Sequence, residues 1–347
     1  MGNPERGLGT ISALRRLGRG LRRVGLAAAA VVALAACADR PAAPPPTLAA
    51  PDVLALYGFR QPVPRPQQDE LVGTVETHVA RKEDTLLDLA VDHDLGYLEI
   101  VAANPGVDPW LPPAGAPVVL PKARLLPSGP RRGIVINLPE RRLYHFAGGW
   151  LVGSYPVGIG RDGLETPLGS TTIVRKQEAP AWRPTPQARR EDPTLPAVVP
   201  AGPDNPLGSH ALYLGWSNYL IHGTNRVYAI GRRASRGCIR LYPDDIVQLF
   251  EDAAVGTPVA VIDQPVKVAW QGGVLYIEAH PTRAQGRELE EKGRFRPVAS
   301  PDVKQMVTAK AGEAAAGVDW AAVDRALEAR SGVPVAITRP AVVATRS

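Results

Sequence analysis

The sequence predicts a mainly β protein: a β-sandwich or barrel-like domain with one short helix, joined to a small β-α-α-β unit. Three observations predict it. From Gly133 onward, short apolar runs recur with Gly or Pro between them, the spacing of an all-β domain. Upstream, residues 73–122 order as strand, two amphipathic helical stretches and a returning strand. The chain has 347 residues, enough for two or more domains with cores of their own.

Taken in order, residues 1–36 pair an Arg-rich start with an apolar run from Val24 to Ala36. That run has the length of a signal h-region and falls short of the ~20 apolar residues of a membrane span. Residues 37–72 are rich in Pro and Ala and read as a semi-rigid spacer, with a short helical element around Asp52–Tyr57. In the small unit, Thr77–Ala80 reads as a strand, and Asp84 or Thr85 is available to cap the helix that follows. Tyr97–Ala103 forms the second helix, Asn104-Pro105-Gly106 turns the chain, and Pro117–Pro121 returns as a strand.

The β domain opens with Ile134–Leu138 and Arg142–Phe146 around a turn at Pro139-Glu140, followed by Trp150–Val157. Residues 179–209 are Pro-rich and read as a long loop that covers a functional site. Pro243–Glu251 reads as a helix with Pro in its first turn, and Thr257–Asp263 as a further strand. Residues 265–347 form an extension: a hairpin turning at Gln271-Gly272-Gly273 and helical segments, among them Asp319–Ala329 with Trp320, Val323 and Leu327 as a packing stripe.

Charge excludes one class of partner. The formal net charge of +6 sits in the leader, where six arginines face only Glu5; the remainder holds 34 basic and 33 acidic residues. A nucleic-acid partner loses its support. No two of the six histidines have metal-ligand spacing, no phosphate-binding glycine loop appears, and neither metal nor cofactor is expected. The two cysteines are Cys37 and Cys238, which leaves a disulfide, a free thiol or an inert buried cysteine open.

The chemistry concentrates between Ile221 and Leu241. Ile221-His222-Gly223-Thr224-Asn225 is followed by a Gly- and Arg-rich loop and then Ser235-Arg236-Gly237-Cys238-Ile239-Arg240-Leu241. A His at a strand end and a Cys among small residues are the parts of a thiol nucleophile and its base. Backbone N–H groups of Gly237 and Cys238 are candidates to face an oxyanion.

This segment resembles the active-site signature of the L,D-transpeptidases, the YkuD-type catalytic domain. Supporting blocks are Thr166-Pro167-Leu168-Gly169, the Gly202–Gly208 run and Asp244-Asp245-Ile246, so the resemblance spans about residues 131–264. Arg236 stands where many members carry His or Gln. The resemblance implies Cys238 as nucleophile, His222 as general base and acid, the Gly223 carbonyl orienting His222, and Gly237 as backbone oxyanion contact. Arg240, Arg236, Asn225 and Ser235 are carried as substrate-binding candidates. Arg240 suits a substrate carboxylate or, equally, an ion pair with Asp244 or Asp245. Asn225 and Ser235 also suit loop ordering, and Trp216 and Tyr219 suit core packing or the pocket wall.

Residues 73–122 resemble a LysM module, with Glu83 in place of a turn glycine. Leu34-Ala35-Ala36-Cys37 resembles a bacterial lipoprotein box with Cys37 as the lipidated residue. The implied function is acyl transfer on peptidoglycan stem peptides in the periplasm. The implied partners are those stems, glycan strands, a membrane held through Cys37 (the outer one favoured) and an envelope protein as acceptor. Two alternatives stay open: an L,D-carboxypeptidase or amidase using the same thioester, and a non-catalytic wall-binding lipoprotein.

Overall fold

A computed structural model describes residues 69–339. The leader, Cys37, the Pro/Ala-rich spacer with its Asp52–Tyr57 element and the last residues from 340 lie outside the described residues. No helix among the described residues is long and apolar enough to cross a membrane.

The first elements are β1 (Leu71–Val72), β2 (Val75–Val79), α1 (Leu86–Asp92), α2 (Tyr97–Ala103), β3 (Pro117–Pro121) and β4 (Arg124–Leu125). β1 pairs with β4, and β2 lies antiparallel to β3 with Thr77 opposite Val119, which gives a β-α-α-β unit. Thr85 is the residue that caps α1, accepting from Asp88 N at 3.0 Å. Asp84, the other candidate, instead binds His78 Nε2 at 2.6 Å. Asn104 in the turn after α2 is buried. Its amide reads both backbone groups of Val119, Oδ1 accepting from N at 2.7 Å and Nδ2 donating to O at 2.8 Å. Leu86, Leu95, Ile100 and Leu120 fill the small core beneath.

The larger part follows as β5 (Gly133–Asn137), β6 (Arg142–Ala147), β7 (Trp150–Pro156), β8 (Ile159–Gly160), β9 (Gly169–Glu178), α3 (Pro186–Glu191), β10 (His210–Leu214), β11 (Leu220–His222), β12 (Arg233–Ser235), β13 (Ile239–Arg240), α4 (Pro243–Asp252) and β14 (Pro258–Ile262). Eight of these strands make one mixed sheet in the order β13-β11-β10-β9-β14-β5-β6-β7. The long β9 joins its halves: Gly169–Thr172 pair with β14, and residues from Ile173 to Glu178 pair with β10.

The sheet curls on itself. Leu143 and Tyr155 near one edge share a core with Ile221 and Ile239 at the other, and Ile246 and Leu249 of α4 close it. The expected sandwich or barrel is therefore a single continuous curled sheet rather than two packed ones. The segment expected to be loop alone, 179–209, carries the short helix α3. Thr185 Oγ1 accepts from Ala188 N at 3.2 Å and Pro186 opens the first turn, a start signal present in the sequence.

The remaining elements are β15 (Val266–Gln271), β16 (Val274–Ala279), α5 (Arg283–Lys292), α6 (Pro301–Ala311), α7 (Trp320–Ala329) and β17 (Val335–Ala336). β15 and β16 form the hairpin, β17 adds a third strand, and Val307 and Val323 pack the helices over it.

Candidate active site

β11 and β13 are neighbouring parallel strands, with Ile221 beside Ile239 and His222 beside Arg240. Alternation along a strand sends successive side chains to opposite faces. Ile221, Ile239 and Leu241 are fully buried in the core, so His222, Cys238 and Arg240 share the other face. Leu241 N donates to His222 O at 2.9 Å and fixes the two strands against each other.

His222 is itself buried, and its Nδ1 lies 2.6 Å from Gly223 O. A carbonyl oxygen can only accept, so Nδ1 carries the proton and Nε2 is left as the basic nitrogen. Burial and the Arg240 charge push the imidazole pKa down to about 4, so the ring is neutral at neutral pH. Burial likewise pushes the Cys238 thiol up, against lowering contributions from the Leu220 backbone and Arg240. Its Sγ donates to Asn218 O at 3.5 Å. The resting pair is thus a neutral thiol and a neutral base.

The loop into Cys238 is held by hydroxyls. Ser235 is buried; its Oγ accepts from Gly237 N at 3.0 Å and donates to Cys238 O at 2.6 Å. Both hydrogen bonds of Ser235 Oγ go to its own loop, as the loop-ordering alternative has it. One expectation changes here. The Gly237 amide is not a free oxyanion donor, because Ser235 engages it. What position 237 requires is the absence of a side chain: φ is +102°, and a Cβ would stand 2.6 Å from the Tyr219 ring. Thr166, buried and assigned no role from sequence, donates to Gly237 O at 2.9 Å and accepts from Gly160 N at 3.0 Å.

Arg240 pairs with no carboxylate among the described residues, so the alternative of a bridge to Asp244 or Asp245 is not realised. Its Nε is buried without a hydrogen-bond partner. Arg236 Nη2 pairs with Glu191 Oε2 at 2.7 Å, and its Nη1 is also buried and unpartnered. Asn225 donates to Asp204 O at 3.0 Å and, with Glu178, His210 and Thr224, lines an open pocket of about 400 Å³. Trp216 and Tyr219 meet edge to face, 6.1 Å apart, and pack against the main core.

Sequence reasoning missed how the small unit docks. Tyr97 N and Leu98 N, at the start of α2, donate to Ile230 O and Gly231 O at 3.2 and 3.3 Å. These carbonyls belong to the loop running from His222 to Cys238. Gly231 has φ +74°, and a Cβ there would lie 2.1 Å from Tyr97 N. Arg142 grips Glu99 of α2 through Nε and Nη2 at 2.7 and 2.9 Å.

Among the described residues, Glu140, Glu278 and His280 are grouped closely enough to hold a metal ion. Lys267 already fills that place, with Nζ 3.0 Å from Glu140 Oε1 and 2.7 Å from Glu278 Oε1.

Comparison with known proteins bears on the same segment. The family model of the L,D-transpeptidase catalytic domain, YkuD, matches residues 131–261. The chain is 41% identical to the probable L,D-transpeptidase ErfK/SrfK of Escherichia coli over 80% of this chain and 90% of that protein. It is 38% identical to the probable L,D-transpeptidase YcfS of Escherichia coli, over 84% and 93%. A crystal structure of L,D-transpeptidase 3 from Mycobacterium tuberculosis aligns with a TM-score of 0.34 and 19% identity over 44% of this chain and 73% of that one.

Proposed function

The chain belongs to the L,D-transpeptidase family, and from that premise we propose the reaction its site performs. Cys238 attacks the carbonyl between the third, L-centred residue of a peptidoglycan stem and the terminal D-Ala. His222 Nε2 takes the thiol proton and delivers it to the leaving D-Ala amine, and a thioester remains. With the Gly237 amide engaged, the Cys238 amide is the backbone donor assigned to the oxyanion. An amine acceptor then resolves the thioester. The acceptor is the side-chain amine of a diamino acid in a second stem, giving a 3→3 cross-link, a Lys of an envelope protein, or a free D-amino acid. Arg240 is assigned a substrate carboxylate.

What supports this reading is that His222 and Cys238 stand on one face of the adjacent strands β11 and β13, with His222 Nδ1 2.6 Å from Gly223 O, which assigns the base role to Nε2. Purified protein incubated with defined tetrapeptide muropeptides is the test, read by mass spectrometry. Dimers that have lost one D-Ala are the expected product. Tripeptides alone would make the enzyme an L,D-carboxypeptidase, and unchanged muropeptides would remove the activity.

The proposed division is signal 1–36, linker 37–72, LysM-like unit 73–122, catalytic domain 131–264 and extension 265–347. The unit is assigned weak glycan binding, which raises effective substrate concentration for a tethered enzyme. Deleting it would bare the Ile230 and Gly231 carbonyls, so the clean test is a point change. Trp110, exposed on its long loop, becomes Ala, and sedimentation with purified sacculi is compared. Cys37 is assigned the lipid, with the protein on the periplasmic side of the outer membrane. A fatty-acid probe that still labels the Cys37→Ser protein would remove that assignment.

A further inference from the structure

Arg161 and Arg236 converge on one oxygen. Arg161 Nη2 lies 2.6 Å and Arg236 Nη2 2.7 Å from the same Glu191 Oε2. Both arginines are set by backbone beside the nucleophile. β8 runs parallel to β12, Arg161 N donates to Ser235 O at 3.0 Å, and Arg236 stands two residues before Cys238. Glu191 comes from a different place, the last residue of α3 in the 179–209 segment. On its own helix Glu191 Oε1 accepts from Gln187 Nε2 at 3.2 Å, while the C-terminal end of a helix favours cations over a carboxylate.

We propose that Arg161 and Arg236 form a carboxylate-binding cradle beside Cys238, filled by Glu191 in the resting chain and taken over by a carboxylate of the stem peptide when substrate binds. The inference rests on the transpeptidase reading and names a specificity element for that same site.

Two further observations support exchange over a fixed structural bridge. The Arg236 side chain is under-satisfied even with Glu191 in place, since Nη1 is buried with no acceptor. A buried N–H without a partner is a group that a better-placed anion would satisfy. The Glu191 pairs themselves are open to water: the side chains of Arg161, Glu191 and Arg236 are 47, 37 and 33% exposed. Exposed pairs of this kind contribute little, so a second carboxylate displaces Glu191 at small cost. The planar guanidinium fork is suited to such an exchange, carboxylate for carboxylate.

Binding is measured directly, in the Cys238→Ala chain, so that turnover plays no part. The ligands are the tetrapeptide stem and two amidated forms, one blocked at the terminal D-Ala carboxylate and one at the side carboxylate of the diamino acid. Glu191→Gln removes the internal occupant and is expected to tighten stem binding about 2- to 5-fold, the scale of an exposed ion pair. Arg161→Ala and Arg236→Ala are expected to weaken it about tenfold, and one of the two amidated stems will already bind as weakly to the parent chain. The amidated stem that loses affinity in the parent chain but loses none further in Arg236→Ala identifies the carboxylate held by the cradle, as distinct from one held by Arg240.

The idea is overturned if Glu191→Gln weakens binding or leaves it unchanged while the chain still melts as the parent does. It is also overturned if both amidated stems bind as the free stem does. Release of D-Ala by the unmodified enzyme is scored separately, so loss of the catalytic reading and loss of the cradle are different results.

Discussion

The cluster around Lys267 and the cluster around Cys238 are both polar groups pressed against the same curled sheet, and they are finished differently. In the first, Lys267 Nζ reaches Glu140, Glu278 and Leu125 O, His280 Nε2 binds Glu278 at 2.5 Å, and Tyr144 and Asn137 bind Glu140. Although burial pushes the Glu278 carboxyl up, Lys267 and His280 hold it below its ordinary range. In the second, Arg236 Nη1 and Arg240 Nε are buried without partners, and the thiol and imidazole are both held neutral. A buried network that serves the fold closes on itself, because an unmet polar group in low dielectric is costly. One that awaits a ligand keeps donors in reserve, and its unmet cost is offset only when substrate arrives.

The comparison breaks most directly at the nucleophile. Cys238→Ser is expected to lower thioester formation by about 10³-fold or more with the melting temperature unchanged. Intact-protein mass spectrometry after incubation with stem peptide reads the acyl adduct. An adduct on a folded Cys238→Ser chain would move the chemistry elsewhere.

Lys267→Met should show the opposite split. It strands Glu140 and Glu278, so a loss of about 3–5 kcal/mol in denaturant unfolding is expected, with acylation per folded molecule retained. Adding Glu278→Gln should recover part of that stability. A stability loss under 1 kcal/mol would mean the cluster is not closed as described.

His222→Ala is expected to slow alkylation of Cys238 by iodoacetamide at pH 7 by about 10²-fold. The pH dependence follows from the two shifts. Because the imidazole pKa is down near 4, the base form persists through the neutral range. Because burial raises the thiol, the rate in the unmodified chain should keep climbing beyond the ordinary cysteine range. A plateau near pH 6 would instead indicate a thiolate–imidazolium pair.

The smallest effect is expected at Ser235→Ala. It frees the Gly237 amide and loosens the Cys238 loop, slowing acylation about tenfold while leaving the 265–339 packing untouched. Equal acylation rates in the two chains would deny the hydroxyl its positioning role.

Much of the fold was legible because its signals are local. Thr85 and Pro243 mark helix starts, Gln271-Gly272-Gly273 turns a hairpin, and apolar runs between Gly and Pro become strands. The helix α3 is also signalled, by Thr185-Pro186, but the surrounding prolines read as loop and mask that signal. At the site, the His222–Gly223 and Ser235–Cys238 blocks could be found because each is contiguous. The direction of the Gly237 amide could not, since Ser235 and Tyr219 compete for that space only once the loop is closed.

By itself the sequence determined which residue types meet in one segment, the periods that make strands and helices, and the glycine that lets the chain pass Tyr219. Tertiary structure alone decided the pairings between distant residues. Lys267 meets Glu140, Glu191 meets Arg161 and Arg236, and Tyr97 meets Ile230 across stretches that carry no periodicity linking them. The physical reason is that a charge or an N–H has many possible partners of equal chemistry along the chain. Only the curl of the sheet through β9, and the docking of α2 on the 226–232 loop, bring one of them within hydrogen-bond distance.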